Sequence, residues 1–115
     1  MAIAEYKTGS ATITTTEYSI VTPGTTLASD TTDGVFQIFI DFAALLSGDE
    51  YEVAVKEKAT SAGTQRVIFR ATIAGLQGSP IWVSPSLILM HGWDVTIDKI
   101  AGTDRSISWS IRQVA

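Results

Sequence analysis

The sequence predicts an all-β fold, a single antiparallel β-sandwich of jelly-roll-like architecture with about eight strands. Apolar and polar residues alternate with a period of two along most of the chain, which is typical of half-buried strands. Turn-forming residues recur about every 8–12 positions, and no helical periodicity extends over about ten residues. A small closed barrel has the same sequence signature and is the alternative architecture.

The composition indicates a folded protein with a surface poor in charge. The chain has 115 residues, of which 45% are hydrophobic and only 17% are charged, whereas typical domains contain about 25% charged residues. This length fits one domain, residues 1–115. No stretch approaches about 18 consecutive apolar residues. We therefore expect no membrane as partner. Because the net charge is −4, we also expect no nucleic acid as partner. The absence of cysteine excludes disulfide bonds and thiolate metal sites.

The first part of the chain is rich in threonine and predicts a partly extended N-terminal arm over residues 1–33. Residues 11–20 combine β-branched and polar positions and predict one or two short strands. Residues 22–33 begin with the turn signal Pro23-Gly24 and predict a loop. Because no proline precedes Pro23, we expect this arm to be the segment that could exchange a strand with a neighbouring molecule.

The middle of the chain predicts a buried strand followed by a hairpin. Residues 34–42 have one wholly apolar face and one mixed face, which favours a central strand. Residues 43–50 break the alternation and predict a single helical turn closed by Gly48. Residues 51–58 and 65–74 alternate around a short loop and predict a β-hairpin. Its expected core-facing residues are Tyr51, Val53, Val55, Val67, Phe69 and Ile73, opposite Glu52, Lys56, Arg66 and Arg70.

The last third predicts an edge segment and a second hairpin. Pro80 and Pro85 bracket a short extended piece that we expect at a sheet edge. Residues 92–100 and 106–114 alternate on either side of a turn, which predicts two paired strands. Two indoles share these strand faces with valine and isoleucine and are expected in the core: Trp93 and Trp109.

No group of residues predicts catalysis, a cofactor or a bound metal, so we expect no enzyme. His91 is the only histidine, and the chain lacks a G-x-S-x-G nucleophile motif. Asp94 and Asp98 would lie about 13 Å apart on one strand, too far for a paired-carboxylate glycosidase. We interpret these acids and the acidic turn at Asp49 as solvated charges. Glu57 shares the parity of core-facing residues and therefore needs a place at the sheet rim or a cationic partner.

Trp82 is the strongest candidate for contact with another molecule. It takes the strand face opposite Ile81 and Val83, between two prolines. An exposed tryptophan on an edge strand is more often an interface anchor than a core residue. A core position and a carbohydrate platform are the alternatives. The predicted interface residues are Trp82, Pro80, Pro85, Thr14, Thr16 and Tyr18.

Four segments resemble small proteins encoded in the structural gene blocks of tailed bacteriophages: TTDGVFQIFIDFAALLSGDEYEV, GTQRVIFRATIAG, PIWVSPSLIL and HGWDVTIDKIAGTDRSISWSIRQV. The motifs G-W-D-V-T and A-G-T-D-R-x-I-x-W-S-I-R carry most of this resemblance, which covers residues 30–115. It implies a non-enzymatic virion protein, assembled in the bacterial host cytoplasm and without catalytic residues. The implied role is a capsid decoration (cement) protein that binds the major capsid protein, other virion proteins or further copies of itself. A carbohydrate- or receptor-binding module of a phage tail or fibre is the alternative.

Overall fold

Nine β-strands and no helix make up residues 2–114, the part of the chain that the computed structural model describes. Within these residues no helix could therefore cross a membrane. The strands are β1 (Ile3–Ile13), β2 (Tyr18–Ser19), β3 (Gly34–Asp41), β4 (Glu50–Glu57), β5 (Arg66–Ala74), β6 (Ile81–Val83), β7 (Leu87–Leu89), β8 (Asp94–Ala101) and β9 (Arg105–Val114).

Two antiparallel sheets pack face to face as a β-sandwich with the strand order of a jelly roll. The five-stranded sheet has the order β1-β9-β3-β6, and β7 also pairs with β3. The four-stranded sheet has the order β2-β8-β4-β5. The predicted all-β sandwich is therefore confirmed, with nine strands where the sequence predicts about eight, and the closed barrel is excluded.

The core lies between the two sheets and follows the period-two pattern. In β3 and β9 alternate side chains are buried, because successive residues of a strand point to opposite faces. Trp93 and Trp109 lie in this core, as predicted. The Trp93 ring lies 4.7 Å from the Phe36 ring, and the Trp109 ring lies 5.6 Å from the Tyr18 ring, measured between centroids. These aromatic contacts join the two sheets.

The predicted hairpin over residues 51–74 is confirmed, because β4 and β5 pair antiparallel. The register shifts between Val55 and Lys56, where Ile68 of β5 has no partner on β4. This bulge reverses the faces of the β5 residues before it, since side chains alternate with a period of two. Val67 is therefore exposed, and its predicted core position is wrong. The other expected core residues are buried or half-buried: Tyr51, Val53, Val55, Phe69 and Ile73.

The predicted second hairpin is wrong, because its two strands belong to different sheets. β8 pairs with β2 and β4, whereas β9 pairs with β1 and β3. The connection between β8 and β9 therefore crosses from one sheet to the other. Alternation indicates only that both strands face a core, and strands on opposite sides of that core satisfy it as well as neighbours do.

Residues 3–13, in the first part of the expected N-terminal arm, form an edge strand of the sandwich. β1 pairs with β9 from Ile3 to Ile13, with a register shift between Glu5 and Lys7. The connection that follows holds β2 and is fixed by an isolated bridge between Asp30 and Trp93, the residue just before β8. Strand exchange through an unpaired arm is thus not available to residues 3–13 in this conformation.

Residues 43–50 form two successive turns in place of the predicted helical turn. The Asp49 carboxylate accepts a hydrogen bond from the Leu46 backbone amide at 2.9 Å. A side chain that bonds the nearby backbone in this way competes with helix formation. Gly48 still has a positive φ of +92°, as a turn-closing glycine requires.

Candidate interaction surfaces

Trp82 lies on the edge strand β6, as predicted, but its indole is half-buried where the sequence predicts exposure. The ring stacks on Phe69 of β5, with 6.2 Å between centroids. It packs against the core and closes the gap between the edges of the two sheets. The exposed side chains of β6 are its neighbours Ile81 and Val83. A molecule that contacts β6 from outside would therefore meet these two aliphatic side chains before Trp82.

The other predicted interface residues lie at two separate edges. Pro80 and Pro85 flank β6 and are half-buried and exposed, respectively. Thr14 and Thr16 are exposed in the connection between β1 and β2, and Tyr18 is half-buried on β2. Since β6 and β1 are the two end strands of the five-stranded sheet, these residues do not form one surface.

The outer face of the five-stranded sheet carries a row of aliphatic residues that crosses four strands. Val114 of β9 pairs with Ile3 of β1 and with Val35 of β3, and Val35 pairs with Ile88 of β7. Directly paired residues share a face, so these four side chains lie side by side on the outside of the sandwich. Ile3 is 72% exposed and Ile88 is 78% exposed. We call this set of four residues the apolar row.

A second aliphatic group on the same face surrounds Phe39. Phe39 pairs with Val83, and its neighbour in the same strand, Asp41, pairs with Ile81. The guanidinium group of Arg112 lies over the Phe39 ring, 3.7 Å from its centroid. Two shallow hollows of about 210 and 280 Å³ flank this cation–π pair, and both are lined mainly by apolar surface. With the apolar row, this group makes the β3, β6 and β7 half of the outer face mainly apolar, with Gln37 and Asp41 as the polar residues of β3 on it.

The β1 and β9 half of this face is polar but almost uncharged. Its charged residues are Glu5 and Arg112, and Glu5 Oε2 accepts a hydrogen bond from the Ser110 hydroxyl at 2.6 Å. Apart from Ile3 and Val114 of the apolar row, the remaining outward side chains are short hydroxyl groups in paired rows: Thr8, Ser10 and Thr12 on β1, opposite Ser110, Ser108 and Ser106 on β9.

The outer face of the four-stranded sheet is different, because ion pairs cover it. Glu17 accepts hydrogen bonds from Lys56 at 2.7 Å and from the Thr96 hydroxyl at 2.6 Å. Partial burial raises the pKa of Glu17, but these two contacts outweigh burial and the net pKa lies below its usual range. Arg70 pairs with Glu52 on the neighbouring strand.

Asp98 adds a further acid to this charged face. Burial raises the pKa of Asp98, and the nearby charges of Glu52 and Glu17 raise it further. The positive charges of Arg70 and Lys56 act in the opposite direction but do not compensate. Asp98 thus lies in a cluster of alternating charges that favours contact with water over contact with an apolar partner.

The carboxylates interpreted as solvated from the sequence are in two cases buried and structural. Asp49 is only 3% exposed and accepts hydrogen bonds from the Leu46 and Thr103 amides and from the Arg105 guanidinium. These contacts lower its pKa to about 2. Asp94 is fully buried and accepts hydrogen bonds from the Ser19 hydroxyl and the Ala28 and Val95 amides. Burial nevertheless raises its pKa.

Glu57 lies at the rim of the sheet, one of its two expected settings, and forms no ion pair within residues 2–114. Its carboxylate accepts hydrogen bonds from the Met90 and His91 amides at 2.6 and 2.9 Å, at the rim of the sheet. Among residues 2–114, no three His, Cys, Asp or Glu residues are placed to hold a metal ion. The buried and hydrogen-bonded acids of this region therefore fix loops to the sandwich.

Comparison with known proteins identifies the fold. No protein-family model and no curated protein sequence matches the chain. It is similar in structure to the Yersinia pseudotuberculosis-derived mitogen, with a TM-score of 0.51 and 15% identity over 99% of this chain and 86% of that one. It is as similar to PirA, with a TM-score of 0.51 and 12% identity over 96% of this chain and 94% of that one.

A pentameric capsid protein from metagenomic phage sequences is a more distant neighbour. Its TM-score is 0.38 and its identity 10%, over 93% of this chain and 61% of that one. The two nearer neighbours support the β-sandwich fold alone, and this third likeness is too low to support an argument.

The sequence contains a signal for the apolar outer face. Residues 34–42 place Phe36, Ile38 and Ile40 inward but also Val35 and Phe39 outward. A strand that is apolar on both faces is typical of one covered on both sides. Here the structure covers only the inner face, so the outward residues of β3 are the signal that indicates a surface available to a partner.

Proposed function

We propose that the protein is a non-enzymatic structural component of a tailed-bacteriophage particle, namely a capsid decoration protein held to the major capsid protein by the outer face of its five-stranded sheet. The apolar row carries the proposal, since it exposes aliphatic side chains from four strands in one continuous line. Monomeric soluble proteins rarely expose large contiguous apolar patches, and such patches mark sites of association.

The distribution of charge supports docking by this face. The centre of a protein–protein interface is depleted in charged residues and enriched in aromatic residues and arginine. Phe39 lies in the apolar half of the outer face beside Val83 and Ile81, and Arg112 of the neighbouring strand β9 covers its ring. The opposite face of the sandwich carries the ion pairs of Glu17 and Glu52. This arrangement suits a protein with one side against a particle and the other side in solvent.

The resemblance to phage structural proteins supports the identity of the particle. Its two motifs span residues 92–96 and 101–112, which form β8, β9 and the connection between the sheets. These residues build the sandwich itself, so the resemblance concerns the framework of the protein. The docking surface is supported by the geometry of the outer face, independently of those motifs.

The carbohydrate-binding alternative has less support. A sugar platform needs an aromatic ring whose face is open to the ligand. Within residues 2–114, no tryptophan, tyrosine or phenylalanine is fully exposed. The face of Phe39 is occupied by Arg112, and Trp82 stacks on Phe69. A glycan array tests this alternative directly, and specific binding there would favour it over the capsid role.

Purified particles provide the primary test. We expect mass spectrometry of virions from the phage that carries this gene to detect the chain at a stoichiometry comparable with that of the capsid subunits. Detection in the infected lysate but not in purified particles would overturn the proposal. Particles from a strain that lacks the gene should bind the added protein and recover this stoichiometry.

The docking face is tested with two double variants of matched chemistry. Ile81→Ser with Ile88→Ser removes apolar surface from the outer face of the five-stranded sheet. Ile68→Ser with Ile100→Ser removes side chains that are 50% and 46% exposed on the four-stranded sheet. We expect the first variant to bind the depleted particles at least about tenfold more weakly and the second to bind normally. Equal binding by both would exclude the proposed face.

A further inference from the structure

The edges of the two sheets differ in how they are protected against pairing with another strand. Natural proteins blunt exposed edges with short strands, prolines, charges and bulges. β6 is three residues long and is flanked by Pro80 and Pro85, and β2 is two residues long. β5 has a bulge at Ile68 and exposed arginines at 66 and 70. Three of the four end strands thus carry such protection.

The remaining end strand, β1, lacks these features over residues 8–13. It is the longest strand of the described chain, at 11 residues. Its bulge and its charged residues Glu5 and Lys7 lie at the N-terminal end. The segment from Thr8 to Ile13 is regular and has no charge or proline. Among residues 2–114, no strand other than β9 pairs with β1, so the backbone groups on its outer side have no strand partner.

We propose that β1 pairs antiparallel with β1 of a second copy of this chain, about a twofold axis at Ser10. In this register Thr8 lies opposite Thr12 of the partner subunit, and Gly9 lies opposite Ala11 of the partner subunit. All of these side chains are small, and threonine pairs across antiparallel strands are favourable. The contact is isologous, because the same segment serves on both sides and the symmetry closes at two copies.

Centring on Ser10 follows from the limits of the regular segment. A centre nearer the N-terminus would bring the bulge at Tyr6 into the new pair. A centre nearer the C-terminus would run into Thr14, whose carbonyl oxygen already accepts a hydrogen bond from the Lys99 amide at 2.8 Å. Residues 7–13 are symmetric about Ser10, so this register pairs the largest number of unbulged residues.

Pairing at β1 joins the two five-stranded sheets into one continuous sheet. The hydroxyl-rich halves of the outer faces then meet at the centre, and the two β3–β6–β7 apolar halves lie at opposite ends. A dimer of this form presents two docking patches to a particle surface, and bivalent attachment strengthens weak individual contacts. The dimer deepens the proposed function, but it can form whether or not the capsid is the partner.

The register is tested with two double variants that differ only in the sign of the charge at position 12. Thr8→Lys with Thr12→Lys places two pairs of like charges across the interface, whereas Thr8→Lys with Thr12→Glu places two pairs of opposite charges there. Both variants lose the hydrogen bond from the Thr8 hydroxyl to the Trp109 carbonyl equally. We expect light scattering with size-exclusion chromatography to give a wild-type dimer. The like-charged variant should dimerise at least about fivefold more weakly than the oppositely charged one.

Two controls separate this proposal from a loss of folding and from face docking. Ser106→Lys with Ser110→Lys adds the same charges to the paired positions of β9, on the same face but away from the edge. We expect this variant to dimerise and all variants to keep wild-type circular dichroism. The Ile81→Ser and Ile88→Ser variant should remain dimeric even if it no longer attaches to particles. A monomeric wild-type chain, or equal dimerisation by both Thr8 variants, would overturn the proposal.

Discussion

The inner faces of the two sheets have the same apolar character, whereas their outer faces differ in charge. Inside, both contribute alternating aliphatic and aromatic residues to one core. Outside, the four-stranded sheet bears the pairs Glu17–Lys56 and Glu52–Arg70. The five-stranded sheet bears the apolar row, the Phe39 group and rows of hydroxyl groups. The few charges on the sheet surfaces are thus concentrated on one side of the molecule.

This asymmetry shows how the few charged residues of the chain are distributed over its two sheets. A composition with only 17% charged residues suggests an evenly uncharged surface. In the structure most of the sheet charges lie on the outer face of the four-stranded sheet, and the outer face of the five-stranded sheet carries few. The two sheets therefore differ only in their outward residues. Substitutions at inward positions should change stability, and substitutions at outward positions should change association.

The largest expected effect is on the shared inner face. Trp109 is nearly buried and lies against Tyr18 of the opposite sheet. Replacing Trp109 with alanine should lower the free energy of unfolding by about 3–5 kcal/mol, because a large cavity forms between the sheets. Urea or thermal unfolding measures this loss. Ser108→Ala, at the next position on the outer face, should change the free energy of unfolding by less than about 0.5 kcal/mol.

A second variant at position 109 refines the result. Trp109 Nε1 finds no hydrogen-bond acceptor within the described residues, so Trp109→Phe removes volume but no hydrogen bond. We expect Trp109→Phe to be clearly more stable than Trp109→Ala. A loss below about 1 kcal/mol for the alanine variant would mean that Trp109 does not contribute to a packed inner face.

The next effect concerns residues 102–104, which connect β8 to β9 and pass from one sheet to the other. We call this segment the crossing. Gly102 and Gly48 both have a φ of +92°, but only at Gly102 would a Cβ overlap Asp49. Gly102→Ala should therefore cost more than Gly48→Ala, which reports the backbone strain alone and should cost about 1 kcal/mol. Unfolding measurements on both variants give the difference. Equal losses would mean that the Asp49 contacts adjust to a side chain at the crossing.

Sequence patterns predict the inner faces well, because burial imposes a period of two on every strand. These patterns do not identify which strands are neighbours. They therefore predict a hairpin of β8 and β9, although the two strands lie in different sheets on opposite sides of the core. They also miss single-residue insertions, as Ile68 reverses the face of Val67.

The candidate surface is less predictable for a related reason. The sequence predicts an exposed Trp82 because the residue is large and lies on an edge strand. It does not indicate that Trp82 stacks on Phe69, since that contact depends on how the two sheets pack. The apolar row draws on β1, β3, β7 and β9, which are distant in sequence. Only the outward residues of β3 indicate this surface within a single segment.

The crossing also gives the protein a defined response to acid. The hydrogen bonds from Thr103, Leu46 and Arg105 lower the pKa of Asp49 from the usual 3.8 to about 2. A carboxyl whose pKa is lower in the folded state stabilises the fold above its unfolded pKa. This stabilisation is complete above about pH 4 and is lost as the pH falls from 4 to 2. In urea unfolding followed by tryptophan fluorescence, Asp49→Asn should be less stable than wild type at pH 6.

The pH dependence distinguishes this role from simple packing. The difference between Asp49→Asn and wild type should narrow as the pH approaches 2, because wild-type Asp49 then becomes neutral. A difference that stays constant between about pH 6 and 2.5 would indicate that the carboxylate charge does not stabilise the crossing.

The smallest expected effect on stability is the one that most directly tests the contrast between the outer faces. Arg70 is largely exposed and pairs with Glu52 across two strands. Exposed ion pairs contribute little, so Arg70→Ala should change the free energy of unfolding by less than about 1 kcal/mol, and by less still at high salt. Ile81→Ser should also be nearly neutral for folding, because Ile81 is 51% exposed.

The two variants should differ in association, measured by binding to depleted particles. Ile81→Ser should weaken attachment and Arg70→Ala should not, since only the first lies on the apolar outer face. If Arg70→Ala weakens attachment instead, the ion-paired sheet faces the particle and the apolar row serves another contact. If the two variants are equally stable and only Ile81→Ser attaches more weakly, the two outer faces of the sandwich have separate roles.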